Sequence, residues 1–373
     1  MGSLGPTPFA GMLLGDLGAE VVRVDRPEAL ATHSKRQAPA YAGLDHLNRN
    51  RRRLVVDAAT PDGIATLLRL ITRADVLLEG FRPGVMERLG LGPDECCAAN
   101  EKLVYCRMTG WGQDGPLARS AGHDINYIAL SGALSLIGRR GVPPTPPPAL
   151  IGDFGGGGTF AVIGILAALV ERSISGRGDV IDAAIVDGSA LLTTMLRSER
   201  DHGRWHAARG TNAIDTGSYF YDVYETADGC YITFGSLEPK FHAELMARLE
   251  LDGDDAPVQH DVRSWPAEKD RIAAIVRTRT RDEWSAAFEG TDVCFAPVLE
   301  LDEAPHHPHN VSRRTFVDVG GVTQPAPAPR FARSTAPTPR PTRPPGADTE
   351  EVLRDWGFAD ADVERLRSAG AVF

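Results

Sequence analysis

Helix signals and short β-branched runs alternate through the first third of this sequence, and that alternation restricts the fold more than any other feature. Residues 8–17 (PFAGMLLGDL) predict a helix stopped by Gly18, and residues 20–24 (EVVRV) predict a strand. Thr60 caps a helix with Pro61 in its first turn, running to about Ile71. A strand at 74–78, a helix at 93–100 and a strand at 103–107 (LVYCR) follow. Neighbouring parallel strands need long crossover connections, and helices supply them. The expectation is an α/β fold, a parallel sheet with helices on both faces.

The rhythm continues past a proline-rich loop at 143–148. There IGDFGGGGTF leads into an apolar helix reaching about Arg172, and residues 179–187 (DVIDAAIVD) read as a buried strand entering another helix. It changes near residue 215. SYFYDVYETADGCYITFGS reads as an antiparallel hairpin turning at Asp228-Gly229. Helices at about 239–249, 266–278 and 281–289 and a strand at 294–298 follow. The expected layout is a large domain over residues 1–200, a smaller α+β domain over 215–315, and a segment over 324–373 returning to the large domain. Residues 324–346, rich in Pro, Ala and Arg, read as extended, and two short helices start near Thr349 and Asp360.

Composition narrows the function classes. The 373 residues carry 40 basic and 50 acidic side chains, a net charge of −10. No excess of Lys and Arg is available to neutralise a phosphate backbone, so no nucleic-acid partner is expected. Cys96, Cys97, Cys106, Cys230 and Cys294 are odd in number and irregular in spacing, which predicts reduced thiols in a cytoplasmic protein. No signal peptide is read at the start, and the terminal Ala-Val-Phe is not a peroxisomal address. The apolar run 160–170 is too short to span a bilayer, so no membrane partner is expected. The cluster His306, His307 and His309 lacks acidic or cysteine companions, and no metal is expected there.

Three motifs are rich in chemical groups. In GDFGGGG (152–158) dense glycines precede an apolar helix and Asp153 sits among its first N–H donors; this is either an anion seat or a helix cap with a flexible turn. In GHDINY (122–127) a His-Asp pair is either a base with its orienter or a chance pair on a loop. In GSLEPKF (235–241) Glu238 stands at the edge of a predicted strand. Arg26, Arg82 and Arg88 fall after predicted strands, where parallel sheets bind ligands, and Arg51, Arg52 and Arg53 form a basic run.

These pieces resemble, in order and over essentially the whole chain, the family III CoA transferases, and within them the α-methylacyl-CoA racemases. The resemblance rests on GPTPFAGMLLGDLGAEVVRVDRP, ADVLLEGFRPGVMERLGLGP, MTGWGQDGP, AGHDINYIALSG, IGDFGGGGTFAVIGILAAL, VIDAAIVDGS, FGSLEPKF and the terminal RSAGAVF. It implies a Rossmann-like large domain with a smaller domain, in an interlocked homodimer whose site lies between the large domain of one chain and the small domain of the other. His123 then matches the catalytic histidine, Glu238 the glutamate paired with it, and Asp153 the catalytic aspartate, with Asp124, Tyr127 and Gly155 in support. Arg26, Val56, Gly80, Arg82 and Arg88 match positions that bind the CoA nucleotide. Members usually begin with a strand ahead of the first Gly-Pro segment. This sequence opens MGSLGPTPF, which implies either a truncated start or a sheet completed another way. The segment 29–48 is also longer than the family pattern.

The implied reaction is inversion of a carbon next to a thioester, which needs two acid/base groups flanking a planar enolate. His123 and Asp153 would be those groups, and the N–H donors of 155–158 would face the enolate oxygen. Desolvation is expected to raise the pKa of Asp153, and Glu238 to support the charged form of His123. The substrate is an acyl-CoA, and no cofactor beyond it is needed. Two other readings remain: a CoA transferase with Asp153 as nucleophile, and a CoA-binding protein without catalysis.

Overall fold

The computed structural model describes residues 1–2, 5–31, 45–253 and 256–373. It separates into a larger unit (Met1–Ser131, Pro147–Leu192, Arg314–Phe373) and a smaller one (Gly132–Pro146, Thr193–Arg313). Most of the long segment 29–48 lies outside the described residues.

In the larger unit, helix α1 (Pro6–Asp16) leads to strand β1 (Val21–Asp25), which pairs in parallel with β2 (Arg51–Val55). The run Arg51–Arg53 is therefore part of a strand and not a free basic patch. Arg53 meets Asp25 at 2.6 Å, Arg51 donates to Asn48 Oδ1 at 2.6 Å, and Arg52 pairs with Glu20 and Asp355. Asp16, which interrupts the apolar run of α1, is buried against Arg49 at 2.5 Å.

Helix α2 (Pro61–Ile71) begins where the Thr60 hydroxyl accepts the Gly63 N–H at 3.0 Å, an N-cap that satisfies one of the four orphan donors. Strand β3 (Val76–Glu79), the single turn α3 (Val85–Arg88), α4 (Pro93–Ala99), β4 (Val104–Thr109) and α5 (Asp124–Leu130) follow. A π-helical stretch, Leu150–Thr159, runs directly into α6 (Phe160–Ser175); β5 (Val180–Ala184) and α7 (Ile185–Leu191) complete this part. Strands β3, β4 and β5 form a parallel sheet in that order. Alternate residues of β4 enter two cores. Leu103 and Tyr105 pack with Leu54, Met86, Val352 and Leu353, whereas Val104 and Cys106 pack with Ala161, Ile165 and Ile185. Burial on both faces is what a parallel sheet between helices requires.

The glycines of 155–158 do not break the helix, so the apolar run is longer than the sequence suggests. The helical stretch Leu150–Ser175 has 26 residues and is long and apolar enough to cross a membrane by length and composition. It also forms one wall of the second core, through Ala161, Val162, Ile165 and Ala168.

The smaller unit holds α8 (Thr194–Asp201), a hairpin of β6 (Tyr221–Glu225) and β7 (Tyr231–Gly235), and helices α9 (Pro239–Arg248), α10 (Trp265–Val276) and α11 (Arg281–Phe288). Strand β8 (Phe295–Val298) pairs antiparallel with β7, and α12 (Pro308–Arg313) closes the unit. Gly229, at φ 75°, makes the hairpin turn possible. Phe220, Ile232, Phe234, Leu245, Trp265 and Trp284 fill the core.

The chain then returns to the larger unit. A small antiparallel pair, β9 (Phe316–Asp318) and β10 (Thr323–Pro325), leads into the stretch read as extended. Helices α13 (Thr349–Asp355) and α14 (Asp360–Ser368) pack into the first core, and Phe373 N–H reaches the Val55 carbonyl at 3.2 Å. All five cysteines are free thiols.

Candidate active site

Residues after β4 carry the first group. Gly110 and Trp111 lead the chain away from the strand, and Tyr127 packs edge-on against Trp111 with ring centroids 4.7 Å apart. A Cβ on Gly110 would fall 2.0 Å from the Tyr127 ring, so only glycine allows this approach. The buried Tyr127 hydroxyl donates to the Gly122 carbonyl, one residue before His123. Tyr127 thus anchors the loop that presents His123, and burial pushes its phenol up from the usual range. His123 is exposed at the N-cap of α5, where its backbone N–H donates to Asn126 Oδ1 at 3.0 Å.

The π-helical stretch carries the second group. Its glycines pack it against its neighbours. A Cβ on Gly156 would lie 2.6 Å from Ser189 N, and one on Gly158 would lie 2.7 Å from the Phe9 ring. Gly188 on α7 is equally committed, since its Cβ would fall 1.9 Å from the Gly156 carbonyl. These glycines bring helices into contact, in place of the flexible turn that the sequence offered as one reading. One expectation is corrected, that of the donors. Helical structure starts at Leu150, so N–H groups without intrahelical acceptors belong to the turn around Asp153, not to 155–158. Gly155 lies inside the stretch, where an added Cβ would fall 3.0 Å from the Leu150 carbonyl.

The two groups meet at Asp153. Its backbone N–H donates to Asp124 Oδ1 at 2.7 Å, and its carboxylate lies over Gly5 at the start of α1. The ring of Phe154 packs 4.6 Å from that of Phe9 and holds the turn against α1. Burial first and the Asp124 charge second raise the Asp153 pKa to about 6, against the opposing charge of His123. His123, Asp124, Tyr127 and Asp153 are therefore within one electrostatic neighbourhood.

Glu238 belongs to the smaller unit. It is exposed at the N-cap of α9, just beyond β7. The loop presenting it is fixed from below. Ser236 Oγ donates to the Val293 carbonyl at 2.6 Å, and buried Gln259 donates to the carbonyls of Ser236 and Leu237 at 3.1 and 2.9 Å.

The candidate nucleotide-binding residues follow the carboxyl ends of parallel strands. Arg26 is exposed directly after β1, Val56 is buried after β2, and Gly80 and exposed Arg82 follow β3. The Arg82 charge reaches Tyr127. Arg88, read as a loop residue, is the last residue of the turn α3 and folds back toward Gly84. Below Gly80, Glu79 is buried on Arg107 at 3.1 Å and accepts the Phe81 N–H at 2.7 Å, which fixes the start of this loop. His306, His307 and His309 sit outside this arrangement, with the His309 N–H on His307 Nδ1 at 3.3 Å.

Three residues near the reacting groups were assigned no role from sequence: Gly5, Phe9 and Trp111. The one available signal was Trp111 between two glycines after a predicted strand.

Comparison with known proteins extends over nearly the whole chain. Residues 1–349 match the model of CoA-transferase family III. The chain is 44% identical to the alpha-methylacyl-CoA racemase of Mus musculus over 371 residues, covering 99% of this chain and 94% of that protein. It is 43% identical to the Homo sapiens alpha-methylacyl-CoA racemase, with the same coverage. A solved structure of a CaiB/BaiF family protein from Brucella suis superposes with a TM-score of 0.81 over 95% of this chain and 97% of that one, at 23% identity, and shows the same fold. With the ordered motifs, the parallel sheets and the family match in agreement, the chain belongs to CoA-transferase family III.

Proposed function

We propose that this protein is an isomerase that interconverts the (R) and (S) forms of 2-methylacyl-CoA thioesters by proton transfer through an enolate. The observation that carries the reading is the electrostatic neighbourhood of His123 and Asp153, with Asp153 held near pKa 6. Identity of 43–44% to two racemases over nearly the whole chain supports it. A group that takes a proton and returns it works best when its pKa lies near the working pH. Asp153 meets that condition.

One of the pair removes the α-proton from one face of the substrate. The electron pair moves into the carbonyl and forms an enolate, and the other group delivers a proton to the opposite face. The N–H groups of Ile151 and Gly152, in the first turn of the helical stretch ahead of Asp153, face the developing oxyanion. Asp124 and Tyr127 position the two groups. Glu238 supports the charged form of His123 from a second copy in an interlocked homodimer of Rossmann-like large domains and smaller α+β domains. Arg26, Arg82 and Arg88 bind the nucleotide phosphates of CoA, with Val56 and Gly80 beside them. No cofactor is needed beyond the CoA of the substrate, no nucleic acid or membrane takes part, and the protein works in the cytoplasm.

A CoA transferase would use Asp153 as a nucleophile and needs no proton donor opposite it. Incubating one epimer of a 2-methylacyl-CoA with the enzyme, with and without an added carboxylic acid, separates the two. Loss of stereochemical purity without the acid is expected. CoA passing to the acid with purity retained would overturn the racemase reading.

A further inference from the structure

Glu238 combines a free carboxylate with a backbone that is gripped on both sides. It occupies the N-cap of α9, yet its side chain does not cap the helix, and Pro239 follows at the first helical position with φ fixed by its ring. The His242 N–H donates to the Glu238 carbonyl at 2.9 Å, and Nε2 of buried His242 lies 2.7 Å from the Tyr219 hydroxyl. Ahead of Glu238 the chain makes a three-residue turn, in which the Leu237 N–H donates to the Gly235 carbonyl at 2.9 Å. The Gly235 and Ser236 N–H groups donate to the carbonyls of Cys294 and Phe220, at 3.0 and 2.9 Å. The carbonyls of Ser236 and Leu237 share one donor, Gln259 Nε2, at 3.1 and 2.9 Å.

We propose, resting on the racemase reading of Glu238, that Gln259 is a positioning residue: it holds the peptide groups of Ser236 and Leu237 so that the Glu238 carboxylate is presented in one place. Three features of Gln259 suit it to this. Its carboxamide nitrogen carries two N–H groups, one for each of two consecutive carbonyls; a carboxylate or an aliphatic side chain has none, and a hydroxyl has one. It is buried, so both bonds lie in a low dielectric, where they are stronger than in water. Its own backbone is tied to the core, because Trp265 Nε1–H donates to the Gln259 carbonyl at 2.8 Å and the Trp265 ring packs edge-on against that of Phe220. Support thus runs from a core tryptophan through Gln259 to the residue before Glu238. The carboxylate is only as well placed as the backbone that carries it, and a misplacement of about 1 Å costs up to about 10²-fold in rate.

The test follows epimerisation of a 2-methylacyl-CoA by the full chain with Gln259→Met, with Glu238→Gln and with both. Glu238→Gln alone tests the role of Glu238. Gln259→Met keeps the length of the side chain and donates nothing to the two carbonyls. It is expected to lower kcat about tenfold while KM for acyl-CoA changes by less than about twofold. In the Glu238→Gln background the same substitution is expected to change kcat by less than about twofold, because no carboxylate is left to position. A loss of folded protein lowers kcat by the same factor in both backgrounds, so equal factors would overturn the proposal. So would full kcat in Gln259→Met where Glu238→Gln is slow. Full kcat in Glu238→Gln would remove the role of Glu238, and the proposal with it. Should Gln259→Met not fold, Gln259→Glu, which keeps the size and loses both N–H groups, is read in the same two backgrounds.

Discussion

Asp124 and Asp153 are joined by a single hydrogen bond, from the Asp153 backbone N–H to Asp124 Oδ1 at 2.7 Å. That bond holds two carboxylates close together. It orients the turn that presents Asp153 and makes ionisation of Asp153 harder. Position and basicity thus come from one residue.

Asp124→Asn keeps an acceptor for the N–H but removes the like charge. The Asp153 pKa then falls, and the acid limb of the kcat profile moves to lower pH by about half a unit or more. Asp124→Ala also loses the bond and is expected to cost about 1 kcal/mol of stability. Rate profiles and thermal melts of both variants distinguish the charge from the bond.

Asp153 also leaves a mark on stability. Its folded pKa, near 6, is above the unfolded value of 3.8, so the folded state binds the proton more tightly. The stability it contributes is present at low pH and is lost as pH rises from about 4 to 6. Allowing for solvent screening of a half-buried group, the change is about 1–2 kcal/mol. Asp153→Asn removes it, and denaturant melts at pH 4 and pH 7 measure the difference.

Gly156→Ala places a methyl group 2.6 Å from Ser189 N and Oγ. The neighbouring atoms include backbone, so the helices must move apart. A loss of about 1–3 kcal/mol is expected, with activity falling because the turn bearing Asp153 shifts. Thermal melts and initial rates check both parts.

Arg82→Ala removes an exposed cation beyond the carboxyl end of β3. It is expected to raise KM for acyl-CoA about tenfold with kcat largely kept, the mark of a binding contact. Raising the salt concentration should narrow the gap to wild type.

Much of the fold was legible because β-branched runs, caps and turn residues act locally. Thr60 and the Asp228-Gly229 turn are examples, and both stand where the pattern puts them. The glycine-rich segment was misread for the same reason. Dense glycines favour a loop locally, yet contacts with Ser189 and Phe9 from other elements require a helix without side chains at those points. The place of the run Arg51–Arg53 was not legible either, since its partners Asp25, Glu20 and Asp355 are separated from it in sequence. At the site, His123 and Asp153 were legible through motifs. Asp124 and Tyr127 were named in support; the bond from the Asp153 N–H to Asp124 and the nearness of Gly5 were not legible, because each depends on tertiary contact.

The most direct measurement is deuterium wash-in. One epimer of a 2-methylacyl-CoA is incubated in deuterated water with wild type, His123→Ala and Asp153→Asn, and the α-carbon is followed by NMR and chiral analysis. The account predicts deuterium at the α-carbon with loss of stereochemical purity in wild type. It also predicts that each variant slows inversion by about 10²-fold or more while retaining its fold. Inversion at the wild-type rate in either variant, or no exchange by folded wild-type protein, would contradict it.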